Sequence, residues 1–349
     1  MDNNYLKGAV IGFGKMGLAH TAIINSFPNS KIVAVCDPSQ LINKGFKEFI
    51  KNIDYYSDHL TMLKKEEIDF VFITTPPNTH ISLAQDCLQY NKHFFIEKPL
   101  SINSKTAQPL ISNLEDSNTL ISMVGYMMRF VQSFKKGKEI IDSKILGEIF
   151  NFNSTIYVSQ LFKRGKGWRY NKKFSGGGVI NNQGGHLIDL ISWYFGYPNL
   201  LNASLRKAYS YENEDFGHVT FNWSNKLIGS LDSSWSIYNR RMLETKIIIN
   251  AENGCLEIND DTIKLFLSRG SKNYNEGWTI IKKPQIESGV SIDLGGSQYT
   301  RQDELFINSI IDQRPISNDV KNAYNIQKII DGIYHSSINN NETIELKYD

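Results

Sequence analysis

Short apolar runs alternate with amphipathic stretches through the first 125 residues. Strands are predicted at Gly8–Ile11, Lys31–Cys36, Asp69–Thr74, His93–Ile96 and Leu120–Gly125. Helices are predicted at Lys15–Phe27, Pro38–Ile50, Ile81–Tyr90 and Asn103–Glu115. The first helix carries apolar residues at Met16, Ala19, Ile23, Ile24 and Phe27, a helical period. This alternation implies a parallel sheet with right-handed crossovers. After residue 147 the pattern changes to successive strand-like runs separated by short turns: Ile149–Ser159, Leu200–Ala208, His218–Trp223, Leu227–Trp235, Leu243–Asn250, Cys255–Ile258 and Thr262–Phe266. They read as an antiparallel sheet. One helix, Val179–Phe195, interrupts it, and two amphipathic helices, Gln298–Asp312 and Val320–Ile338, close the chain. The expected fold class is α/β, with a dinucleotide-binding domain over 1–125 and a second α/β domain over 126–349 built on an open, mainly antiparallel sheet. The C-terminal helices could pack back on the first domain.

Length and composition narrow the picture without naming a function. A chain of 349 residues has room for two cores, and 41% apolar with 21% charged residues is ordinary for a globular protein. With 38 basic and 36 acidic side chains there is no global field to hold nucleic acid or an anionic membrane. Three cysteines, Cys36, Cys87 and Cys255, read as free thiols of a reducing compartment. No signal peptide is read before the first strand and no run approaches transmembrane length, so the expected location is cytoplasmic. No metal site is expected.

The chemistry begins at the first strand–helix junction. Ala9-Val10-Ile11 is followed by Gly12-Phe13-Gly14-Lys15-Met16-Gly17, a G-x-G-x-x-G run between a strand and a helix. Gly12 allows the tight turn, Gly14 lets the backbone approach a pyrophosphate, and Gly17 lets helix and strand pack closely. The pyrophosphate would sit on the amides of the helix N-terminus, over Phe13, Lys15 and Met16. Asp37 ends the second strand, where a carboxylate accepts from ribose hydroxyls and repels a 2′-phosphate. Its neighbours Pro38, Ser39 and Gln40 include no arginine, which favours NAD over NADP.

Three further segments carry candidate residues. Thr75-Pro76-Pro77-Asn78-Thr79-His80 follows the third strand, placing Thr75, Pro76, Asn78 and His80 beside the nicotinamide half of a cofactor, with Asn78 also able to cap the next helix. Glu97-Lys98-Pro99 ends the fourth strand at the carboxyl edge, where open α/β sheets bind ligands. Lys98 is a candidate to hold a substrate hydroxyl and assist its deprotonation. Gly176-Gly177-Gly178 leads into the helix on which Asn182, His186 and Asp189 form one polar stripe at i, i+4 and i+7. Burying such a pair is costly unless it is used or satisfied, and Asp189 could orient the His186 imidazole. Trp168-Arg169 offers a stacking face and a donor fork, and Lys163, Arg164 and Lys166 could meet a nucleotide-sugar pyrophosphate. Lys135-Lys136-Gly137-Lys138 reads as the exposed face of a helix.

These motifs, in this order, resemble the glucose–fructose oxidoreductase / inositol dehydrogenase (Gfo/Idh/MocA) family over nearly the whole chain. The resemblance implies a Rossmann domain followed by a domain whose open sheet mediates homodimers or homotetramers. It implies that Lys98 contacts the reacting hydroxyl or carbonyl, that His186 is the general acid/base, and that Glu97 and Lys98 touch the nicotinamide side. It further implies an NAD-dependent oxidoreductase acting on a sugar or polyol, possibly nucleotide-linked. Many members carry an aspartate where this chain has Asn182, which shifts proton handling toward Lys98 and His186; asparagine there resembles some members that act on nucleotide-linked sugars. Two other readings stay open: a non-catalytic sensor of the same fold, and a dehydrogenase that keeps its cofactor bound through turnover.

Overall fold

The computed structural model describes residues 5–39, 52–115 and 120–348. The chain forms two compact units: 1–126 with 289–324, and 127–288 with 325–349. Most of the expected helix Pro38–Ile50 lies outside the described residues.

The first unit opens with β1 (Leu6–Ile11), α1 (Lys15–Ile24), β2 (Ser30–Cys36), β3 (Asp54–Tyr56) and α2 (His59–Lys65). It continues with β4 (Phe70–Ile73), α3 (His80–Gln89), β5 (His93–Ile96), α4 (Ser104–Glu115) and β6 (Ser122–Val124). The six strands lie in the order β3-β2-β1-β4-β5-β6, with all pairs parallel. This is the doubly wound arrangement in which the order reverses between β1 and β4. All the loops that leave β1, β2, β4 and β5 therefore share one edge of the sheet. The strands are apolar and buried on both faces, as Phe70–Ile73 illustrates. Their rings form one cluster: Phe72 stacks on Phe95 at 4.6 Å.

In the second unit come α5 (Gln132–Asp142), β7 (Ile149–Tyr157) and α6 (Gly185–Phe195). Then follow β8 (Leu200–Arg206), β9 (Phe216–Asn222), β10 (Ile228–Ser234), β11 (Glu244–Ala251), β12 (Gly254–Asn259), β13 (Thr262–Leu267) and β14 (Gly277–Lys282). Beyond them, α7 (Ser297–Asp312) belongs to the first unit. There Phe306 meets Phe70, Phe72 and Phe95 edge-on at 6.0, 5.4 and 5.9 Å. α8 (Val320–Ile338) and β15 (Ile344–Glu345) end the chain. The nine strands of the second sheet run β14-β13-β12-β11-β7-β10-β9-β8-β15. Every pair is antiparallel except β7 with β10, which is parallel because β7 enters the sheet between strands from later in the chain.

Cys36 and Cys87 are buried and Cys255 is half-buried, all as free thiols. Among the described residues no helix is long and apolar enough to cross a membrane.

Candidate active site

The loop from β1 to α1 is built by crowding. Gly12 has φ +91°, the left-handed region, and a Cβ on Gly17 would lie 2.2 Å from the Gly12 carbonyl oxygen. Both glycines are therefore demanded by the fold. A Cβ on Gly14 would meet nothing within 4 Å. The fold leaves open space above Gly14, and no side chain caps α1 there. Amides of an uncapped helix N-terminus under open space form the cradle that a pyrophosphate fits. Lys15 is exposed and Met16 half-buried at its rim. Phe13 is buried, its ring meeting Tyr55 at 6.3 Å, so its contribution to the cradle is its backbone. Its amide donates to Asp37 Oδ2 at 2.8 Å, and the Ser39 amide donates to Oδ1 at 2.8 Å. Asp37 thus ties the glycine loop to the end of β2, where a ribose would lie.

Next along this edge, Thr74 Oγ1 donates to the Gly12 carbonyl at 2.5 Å. Thr75 and Pro76 are half-buried. Asn78 is exposed within a 3-10 turn, Pro77–Thr79, and the cap position of α3 is Thr79, so the expected capping by Asn78 is corrected. His80 opens α3. It is buried, with Nδ1 2.9 Å from the Pro99 carbonyl oxygen and Nε2 2.8 Å from that of Thr75. Burial lowers its pKa. It ties together the loops after β4 and β5.

Lys98, joined to Pro99 by a cis peptide, follows Glu97 at the end of β5. Glu97 Oε2 accepts the Lys98 amide at 3.1 Å, and Oε1 lies 3.1 Å from His20 Nε2. His20 Nδ1 lies 2.7 Å from Asp303 Oδ2 on α7. The imidazole is wholly buried between two carboxylates. Burial alone would lower its pKa, but the charge and hydrogen bond of Asp303, with those of Glu97, raise it to about 10. Glu97 shows the complement: burial would raise its pKa, and His20, Lys98 and His80 hold it below the usual range. Inside the protein Glu97 fixes the backbone from which Lys98 projects. His20 and Asp303 were not foreseen from sequence. The signal was present, since His20 shares a helix face with buried Ile23 and Ile24.

The second unit carries the other candidates. The expected regular helix Val179–Phe195 is a π-helical turn, Ile180–Gly184, followed by α6. Asn182 lies within the wide turn and His186 in the first turn of α6. Single π turns of this kind recur at functional sites. Asn182 is half-buried and His186 is 5% exposed. Asp189 is completely buried, and both its oxygens accept from Arg129, at 2.7 Å from Nε and 2.6 Å from Nη2. The buried guanidinium pairs with the carboxylate and anchors α6 to the segment before α5.

A second carboxylate fixes the start of this element. Glu214 is buried and accepts the Gly178 amide at 3.0 Å on both oxygens, the Ile180 amide at 2.9 Å and the Tyr334 hydroxyl at 2.8 Å. Burial raises its pKa. A Cβ on Gly178 would lie 2.2 Å from the Glu214 carbonyl oxygen. The glycine run is thus required for close packing against Glu214, a reason invisible in the linear sequence. Trp168 and Arg169 lie in a short 3-10 turn, with the guanidinium 4.9 Å from the indole centroid.

Residues 6–126 match a model described as an oxidoreductase family with an NAD-binding Rossmann fold, and residues 134–257 match the GFO/IDH/MocA C-terminal domain. An oxidoreductase of Formosa agariphila is 25% identical over 298 residues, 80% of this chain and 90% of that one. A myo-inositol 2-dehydrogenase of Thermotoga maritima is 27% identical over 143 residues, 41% of this chain and 42% of the other. A levoglucosan dehydrogenase solved with NADH and levoglucosan superposes with a TM-score of 0.87 at 18% identity, covering 98% of this chain and 99% of that one. The cradle has open space above Gly14, and Asp37 closes its loop by accepting the Phe13 amide. The chain belongs to the GFO/IDH/MocA family of NAD-dependent oxidoreductases.

Proposed function

We propose that this protein moves hydride between NAD(H) and a ring hydroxyl or carbonyl carbon of a sugar, cyclic polyol or nucleotide-linked sugar. The observation that carries the reading is Lys98, set at the carboxyl edge of the same sheet as the open cradle, on a backbone fixed by Glu97. The Gly12–Gly17 loop and Asp37 would hold NAD, which when bound supplies the hydride acceptor or donor. Lys98 hydrogen-bonds the reacting oxygen. As an alcohol is oxidised, Lys98 or His186 takes its proton, and in reduction the same groups return it. Asn182 holds a neighbouring hydroxyl but cannot take a proton. Relatives named for inositol and levoglucosan support a carbohydrate or polyol substrate. We further propose a cytoplasmic homodimer or homotetramer; the exposed Ile228, Trp278 and Ile280 on its nine-stranded sheet support the oligomer.

The test is NAD+ reduction, and NADH oxidation, against free polyols, hexoses, hexose phosphates and UDP-sugars with their oxidised counterparts. Turnover of one class supports the proposal. No turnover of any class in either direction, with NADH still bound, overturns it.

A further inference from the structure

Residues 163–173 hold six cations, Lys163, Arg164, Lys166, Arg169, Lys172 and Lys173, and no acid. The remainder of the chain is left net negative. Among the described residues none of the six is in an ion pair. The contrast is the basic face of α5, where Lys136 pairs with Glu139 at 2.9 Å and Lys138 with Asp142. A solvated helix face neutralises itself in that way; the 163–173 segment does not.

The segment is also built. It walls a cleft of about 480 Å³ together with Ser210, Tyr211 and Glu212. One wall is tied down by Glu212, which accepts the Lys172 amide at 2.9 Å, and by Asn213 Nδ2, which donates to the Arg169 carbonyl at 3.2 Å. The other wall is held by Asp215, which accepts the amides of Ala208, Tyr209 and Ser210 at 2.7, 2.7 and 3.0 Å. The Arg164 guanidinium lies over the Tyr211 ring at 4.5 Å. A stacked guanidinium keeps its N–H edge directed outward, the geometry that grips phosphate or carboxylate. Glu212 is the one acid lining the cleft. From Lys173 the chain runs through Gly176–Gly178 into the turn bearing Asn182 and then His186.

We infer that this cleft seats an anionic group of the substrate, so that the protein acts on an acidic sugar derivative and not on a neutral polyol. Arg164 and Lys166 determine that specificity by pairing with the anion, while the polar residues of the following helix face the sugar. Phosphate monoesters, nucleotide diphosphates and uronates share this chemistry. Calling the anion part of the substrate rests on the dehydrogenase reading above; the anion site itself does not.

The experiment has a binding arm and a turnover arm. Protein saturated with NADH, so that the nucleotide cradle is filled, is titrated calorimetrically with inorganic pyrophosphate, glucose 6-phosphate, UDP-glucose, glucuronate and glucose. The anions should bind more tightly than glucose and weaken as salt rises. Arg164→Ala/Lys166→Ala should lose roughly tenfold or more in anion affinity, and Lys136→Ala/Lys138→Ala should lose none. Which anion binds most tightly identifies the source. In turnover, the double variant should raise KM for the preferred anionic sugar far more than it lowers kcat. Equal binding of glucose, full anion affinity in the double variant, or no anion binding to wild type would each overturn the inference. Anion binding without turnover of any sugar would remove the dehydrogenase reading and leave the anion site standing.

Discussion

Arg129 and Asp189 form a two-point ion pair in the interior, both side chains at most 6% exposed, across 60 residues of sequence. The pair fixes the helix that carries His186 to the segment entering α5. Removing one partner leaves a buried charge uncompensated. Asp189→Ala should therefore cost about 3–5 kcal/mol of stability, measured by denaturant unfolding. Arg129→Met/Asp189→Leu should recover most of that loss. A double variant no more stable than the single one would show that the pair does more than neutralise itself.

Glu214 does the corresponding work at the other end of the element. Glu214→Gln should cost about 1–3 kcal/mol and lower kcat while leaving NADH affinity intact, because the cradle belongs to the first unit. Gly178→Ala drives a methyl into the Glu214 backbone and should cost roughly 2–3 kcal/mol. Calorimetric melting with parallel NADH titration checks both. Loss of NADH binding would contradict the assignment.

His20 makes stability depend on alkaline pH. Its folded pKa of about 10 lies above the usual 6.5. A raised pKa contributes stability that is fully present below about 6.5 and is lost as pH rises toward 10. Wild-type protein should lose stability across that window, and His20→Gln, less stable at neutral pH, should show a flatter profile. Unfolding free energies measured over the window decide it; parallel slopes for the two proteins would place the proton elsewhere.

Asp37 carries the Phe13 amide, and the proposed function gives it a second task, reading the ribose. Asp37→Ala should weaken NADH binding and also narrow the preference for NADH over NADPH, by fluorescence titration of each. An unchanged ratio would leave Asp37 only its structural bond.

Much of this was legible in the linear pattern because it is local. The strand, the glycine run and the helix lie within twenty residues, and parallel strands buried on both faces read as continuous apolar runs. Short or evenly half-exposed strands did not show: Asp54–Tyr56 has three residues, and Gly277–Lys282 presents no buried side chain. The site was legible by residue type and less so by partner. Asp189 stood out as a buried acid, but the neighbour one turn away drew the assignment that belongs to Arg129. The bonds of Glu97 inside the protein were not legible, because His20 is 77 residues distant and Asp303 lies a further 206 beyond Glu97. Polar partners chosen by tertiary packing leave only one mark on a sequence, a charged residue on an apolar face.

The most direct test of the account is hydride transfer by Lys98→Met, measured as the initial rate of NAD+ reduction with the preferred substrate alongside NADH affinity. The account predicts turnover lowered by roughly 10²-fold or more, with NADH bound as in wild type. Near-normal turnover would contradict it and take Lys98 out of the reaction.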